Sequence, residues 1–346
     1  SGGYNVLVGR ETGQYLTTTT NTVAIGDNAG RFNTGGSNTF VGTNAGKRGT
    51  SGATSNNTFI GLSAGGNNTD GNNTAVGHQA LAYGAGAEDT VVMGYYAGQD
   101  LTATGMVAIG NKAAQQATSA GYGVIIGYEA NDTGILTGAR NVGIGMQSMR
   151  NATSGQDNVG VGPETFGSGV LTGENNIAIG KTALKKSTAA YYNVGIGYNA
   201  LTENLDGEKN IAIGGGALAA NTSGDYNIAI GYEALDGADT ESNNIAIGRA
   251  ALGGAINGAE KNIAIGDFSL DAALTGDYNT AVGYGTGTLM TSGQRNSLFG
   301  YDTGKAITTG ISNTILGYEC GIGVTEGNYN VMIGNNAGTN VTTGDG

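Results

Sequence analysis

Asn227-Ile228-Ala229-Ile230-Gly231 is one instance of a phrase that returns along the whole chain, from Asn5-Val6-Leu7-Val8-Gly9 to Asn330-Val331-Met332-Ile333-Gly334. Twenty such phrases close on glycines about seventeen residues apart, with spacings from sixteen (Gly26 to Gly42) to nineteen (Gly42 to Gly61). A fixed period of this length marks a repeat array in which each unit buries its apolar face against its neighbours. No unit carries an insertion long enough for a lid or a subdomain. Residues 1–346 therefore read as a single continuous array, and because neither end carries a polar cap it reads as a segment of a longer fibre.

With the closing glycine as position zero, the residue just before it is large and apolar (Ile25, Val41, Ile179, Ile230, Phe299), and the residue three before it is commonly β-branched (Val23, Ile177, Ile245). Between them sits a smaller one, such as Ala24, Gly143 or Ala246. A period of two predicts a short strand with one face in a core. The expected orientation puts the large residues inward and the small middle residue outward, against a neighbouring subunit. The same outward face would then present Phe40, Phe59 and Met332.

Asparagine stands four before the glycine in sixteen of the twenty units, among them Asn38, Asn73, Asn158, Asn176, Asn193, Asn210, Asn227, Asn244, Asn262, Asn279, Asn296, Asn313 and Asn330. Asparagine tolerates left-handed backbone angles, and stacked amides can hydrogen-bond between coils. The row is expected to be a structural ladder. Three after the glycine comes a small residue, and the next position is leucine in central units (Leu184, Leu201, Leu218, Leu235) but glycine near both ends (Gly30, Gly46, Gly304, Gly321). This predicts a second strand and an interior that gains volume in the middle of the array. The fold class that follows is all-β, a repeat solenoid of the narrow parallel β-roll type with about 20 coils of about 17 residues.

Composition narrows the function. Sixty-seven glycines with one proline and no triplet period exclude collagen, and strictly phased apolar residues argue against disorder. A net charge of −12 without a basic stripe argues against nucleic acid as a partner; the basic pairs Lys47-Arg48 and Lys185-Lys186 read as solvated turns. No apolar run approaches the length of a membrane span.

Catalytic, cofactor and metal sites are expected to be absent. His78 is the sole histidine and lies on a variable turn, and Cys320 replaces a recurrent alanine. Acidic residues of the loose turn (Asp157, Glu174, Asp225, Glu260, Asp277, Glu326) are spaced a coil apart, too thinly for the six to eight oxygens that calcium takes. Tyrosine is more suggestive. Tyr198, Tyr232, Tyr284, Tyr301 and Tyr318 follow the closing glycine, and Tyr226 and Tyr278 precede it by five. Such rows could clasp neighbouring subunits or offer stacking platforms to glycans.

The phrases Asn176-Ile177-Ala178-Ile179-Gly180, Asn227-Ile228-Ala229-Ile230-Gly231 and Asn244-Ile245-Ala246-Ile247-Gly248 resemble the head repeats of YadA-like trimeric autotransporter adhesins, and more closely the longer repeats of bacteriophage tail fibres. The resemblance implies a left-handed parallel β-roll assembled as a homotrimeric rod, extracellular, on a virion or a bacterial surface. It implies a non-enzymatic shaft that projects a receptor-binding tip. An adhesin head that binds host glycan or matrix is the alternative, and a glycan depolymerase spike a further one.

Overall fold

The computed structural model describes residues 3–17, 19–47 and 54–345. Arg48, half of one basic pair, lies outside them. The described residues are all-β, a solenoid of twenty three-residue parallel strands about seventeen residues apart. Two compact units divide the chain at Glu174, the first holding β1 (Val6–Val8) to β10 (Val159–Val161) and the second β11 (Ile177–Ile179) to β20 (Val331–Ile333). Within each, consecutive strands pair in register, so that Ile228, Ala229 and Ile230 oppose Ile245, Ala246 and Ile247. Like residues thus form columns.

The closing glycine sets the repeat. All twenty adopt φ between 123° and 148°, a region that side-chain-bearing residues rarely enter. Coils also touch there backbone to backbone. A Cβ on Gly231 would lie 2.3 Å from the carbonyl oxygen of Gly248.

The orientation expected for the strand is inverted. The middle residue of nearly every triplet is buried, including Ala24, Phe40, Phe59, Ala212, Ala229 and Ile315, whereas the two flanking residues face outward and stay half-buried or exposed. The physical reason lies four residues after the glycine, where the chain folds back over the strand and shares its interior space. In most coils with a small middle residue that position is large, as in Ala75 with Leu81, Gly143 with Met149, Gly160 with Phe166 and Ala229 with Leu235, whereas both are small at Ala24 with Gly30, Ala108 with Ala114 and Ala281 with Gly287. Where the middle residue is large, that position is glycine: Phe40 with Gly46, Phe59 with Gly65, Leu298 with Gly304, Ile315 with Gly321. A Cβ on Gly65 would sit 2.3 Å from the Phe59 ring. In the paired coils the interior thus exchanges volume between the two positions.

The second expected strand does not form among the described residues. The segment after the glycine is a run of turns, because the residues two and four beyond it take left-handed angles, as at Asn199 (φ 56°) and Leu201 (φ 52°). Alternate left-handed residues curl the backbone while still bonding coil to coil, with Leu201 N–H donating to Ala217 O at 3.1 Å and Leu218 N–H to Ala234 O at 2.9 Å. The left-handed angle is a second reason for glycine four beyond the closing glycine, at Gly30 (φ 57°) and Gly304 (φ 59°).

The volume exchange is testable at one coil. Gly98→Leu places its Cβ 3.2 Å from Val92 and 3.3 Å from Leu101 and destabilises the protein by about 1–3 kcal/mol. Adding Val92→Ala and Leu101→Gly recreates the Ala75–Leu81–Gly84 arrangement and recovers more than about 1 kcal/mol of that loss in urea unfolding, a coupling that independent sites would not show.

Candidate functional site

Within each unit the asparagines four before the closing glycines form a buried row, replaced in the first unit at Thr22, Thr90, Met106 and Gly123. In the second unit Asn193 Nδ2 donates to Gly207 O at 2.8 Å, Asn210 Nδ2 to Gly224 O at 2.7 Å and Asn227 Nδ2 to Glu241 O at 2.7 Å. Each Oδ1 accepts the backbone N–H of the next asparagine, with Asn210 N to Asn193 Oδ1 and Asn227 N to Asn210 Oδ1 both 2.9 Å. The row continues through Asn244, Asn262, Asn279, Asn296, Asn313 and Asn330. In the first unit it holds Asn38, Asn57, Asn73, Asn141 and Asn158. The left-handed residue of this turn is not the asparagine itself. It is the residue before it, such as Tyr192 (φ 60°) or Tyr226 (φ 57°), and the asparagine serves through its amide.

The outward strand face is the feature that sequence reasoning assigned to the core. Ile179, Ile213, Phe299 and Leu316 in the second unit, and Ile25, Ile60 and Met93 in the first, remain exposed, Ile213 to 37%. Tyrosines border the face on both sides, Tyr226 and Tyr278 ahead of the strand and Tyr198, Tyr232, Tyr284, Tyr301 and Tyr318 beyond it. The reciprocal exchange between the strand middle and the position four beyond the glycine was the signal that could have revealed the orientation.

Tyr284, Tyr301 and Tyr318 stack face to face, with centroids 5.3 and 5.1 Å apart and planes within 11° and 8°. Tyr301 therefore has both faces covered by protein, and the ladder presents ring edges and hydroxyls to solvent. Tyr226 and Tyr278 carry Lys209 and Lys261 ammonium groups 4.7 and 5.2 Å from their ring centroids.

The remaining sequence candidates are structural in their surroundings. His78 is not freely solvated; it stacks on Tyr95 at 5.2 Å and meets Tyr96 edge-on at 5.4 Å. Cys320 is buried in the alanine column, and burial pushes its thiol up from its ordinary range. In the loose turns, Asp225 accepts the Glu208 N–H at 2.7 Å and Asp277 the Glu260 N–H at 2.9 Å, tying one coil to the next. Asp157 pairs with Arg140, whose guanidinium holds the carboxyl below its usual range. No three histidine, cysteine or acidic residues come together in a metal-holding group among the described residues. Lys186 of the other basic pair bonds Glu203.

No family model matches the chain, and no match is found among curated proteins or among solved structures.

The ladder makes a quantitative demand. Asn210→Ala strands the Asn227 N–H in a buried site and leaves the Gly224 carbonyl with Asn221 alone, and thermal or urea unfolding should register a loss of about 1–3 kcal/mol.

Proposed function

We propose that the chain is the shaft of a non-enzymatic, homotrimeric fibre that projects a receptor-binding tip from a bacteriophage virion or a bacterial surface. The observation that carries this reading is the outward strand face. Ten strands about 4.8 Å apart make the face of one unit about 45 Å long, and with its tyrosine borders it is about 20 Å wide, so each unit offers about 900 Å². Stable interfaces bury about 800 Å² per partner, and apolar patches on ordinary monomers reach only about 300–600 Å². Covering each half-exposed isoleucine contributes about 1 kcal/mol, so ten coils in line outweigh the entropy lost on association.

The occupant best matched to a periodic face is another copy with the same period. Identical coils side by side keep their columns in register along the full length, which an unrelated globular partner would not. The likeness of the Asn-Ile-Ala-Ile-Gly phrase to trimeric fibre repeats supports three copies rather than two. Reach suits the fold, since each added coil lengthens the shaft through the same contacts.

Light scattering should return three times the chain mass. Replacing Ile179, Ile213 and Ile247 by Asp, one on every second coil, should keep the β-type circular dichroism spectrum and reduce the mass to that of one chain. A native chain that is monomeric at micromolar concentration would sink the proposal.

A further inference from the structure

Glu241 is a buried carboxylate that the repeat does not call for. It stands in a loose turn seven before its closing glycine, where the adjacent coils carry Gly224 and Ala259, and it is 5% exposed. Its carboxylate bonds only backbone N–H groups. Oε2 accepts those of Asp239 at 2.9 Å and Thr240 at 3.1 Å, and Oε1 accepts that of Gly258, on the next coil, at 2.8 Å. The first two bonds fix the side chain to its own turn, so the other oxygen is held at the Gly258 nitrogen.

Asn257-Gly258 is the sole Asn-Gly pair among the 346 residues. It lies in the coil between Gly248 and Gly266, eighteen residues long where the coils on both sides have seventeen. Ile256 is buried just before it, and Asn257 N–H donates to Leu274 O at 3.0 Å, so the backbone of this turn is anchored. Both residues of the pair are nevertheless exposed. The Asn257 carboxamide makes no hydrogen bond among the described residues and is free to rotate. A Cβ on Gly258 would meet nothing within 4 Å, and its φ of 78° is one that glycine takes without strain. The turn is open to water.

The requirements of an intramolecular acyl substitution therefore meet at one place. The electrophile is an unrestrained side-chain amide. The nucleophile is the backbone nitrogen one residue on, with no side chain to shield it, so the reacting groups are never apart. A carboxylate sits within the reach of about 2.6–3.2 Å that a general base needs.

We infer that this turn modifies itself, with the Gly258 nitrogen as nucleophile, Asn257 as substrate and Glu241 as general base. The nitrogen attacks the Asn257 side-chain carbonyl carbon as Glu241 takes its proton. The Cγ–Nδ2 bond then breaks, and ammonia leaves with that proton, which restores the carboxylate. The product is a five-membered succinimide, and water opens it at either carbonyl to leave aspartate or isoaspartate at position 257. Each event takes the formal charge from −12 to −13, in a turn that already holds Glu260. The chain thus acquires an irreversible mark of age on one coil, outside the strand face.

The test follows the full chain at neutral pH, folded in buffer and unfolded in urea, with peptide mass mapping of the one-dalton gain at position 257. The expected result is conversion at least about tenfold faster in the folded chain. A Glu241 that merely tethers the nitrogen would give the opposite order. Glu241→Gln keeps an oxygen for the Gly258 N–H but supplies no base; it should bring the folded rate to or below the unfolded one and leave the rate in urea unchanged. A folded rate no faster than the unfolded rate would overturn the inference, as would an acceleration that survives Glu241→Gln. The first comparison needs no variant, so it decides the matter even where Glu241→Gln does not fold.

Discussion

Everything in this solenoid depends on the close approach of backbone to backbone at the closing glycine. At that point the chain leaves the strand with φ above 120°, and the next coil's carbonyl oxygen occupies the space a Cβ would need. The approach fixes the register of every column beyond it. With Gly231 N–H held by Ile213 O at 2.8 Å, the isoleucines, the strand middles and the asparagine amides of adjacent coils must all align. The asparagine ladder then supplies what so thin an interior lacks, a buried polar row with its donors and acceptors paired. A short period, a glycine contact and an amide row are thus parts of one constraint.

The alignment has a consequence for the surface. A coil this small has room for few side chains, the strand middle, the folded-back residue and one seven beyond the glycine such as Leu101, Met290 or Ile307, and these trade volume from coil to coil. Nothing larger fits inside, so the β-branched flanks that give the strand its extended conformation turn outward. The fold therefore carries a row of β-branched and other aliphatic side chains on a face that a single chain leaves open. The self-association we propose rests on the same lack of interior space that makes the coil short.

Much of this was legible in the sequence. The period, the strand at each phrase and the inter-coil amide row follow from where glycine, alternating residues and asparagine fall. The orientation of the strand did not, because Ile228 and Ile230 flanking Ala229 satisfy a period of two whichever face is buried. Only the partner position, Leu235 against Ala229 and Gly65 against Phe59, distinguishes the two choices. The absent second strand was hidden for a different reason. Its left-handed positions are filled by Asn199, Leu201 and Glu233, whose identities give no warning of the angle that inter-coil hydrogen bonds impose on them.

The central claim is that the outward isoleucine column is covered in the assembled protein while the middle column is interior in each chain. Maleimide labelling of Ile213→Cys in a Cys320→Ala background tests it most directly, with Ala212→Cys as the interior control. The account predicts that Cys at 213 is protected at assembling concentrations and reacts freely once dilution or the aspartate substitutions separate the chains, while Cys at 212 stays protected until unfolding. Free reaction at 213 in the native protein at high concentration, or release of 212 together with 213 on dissociation, would contradict it.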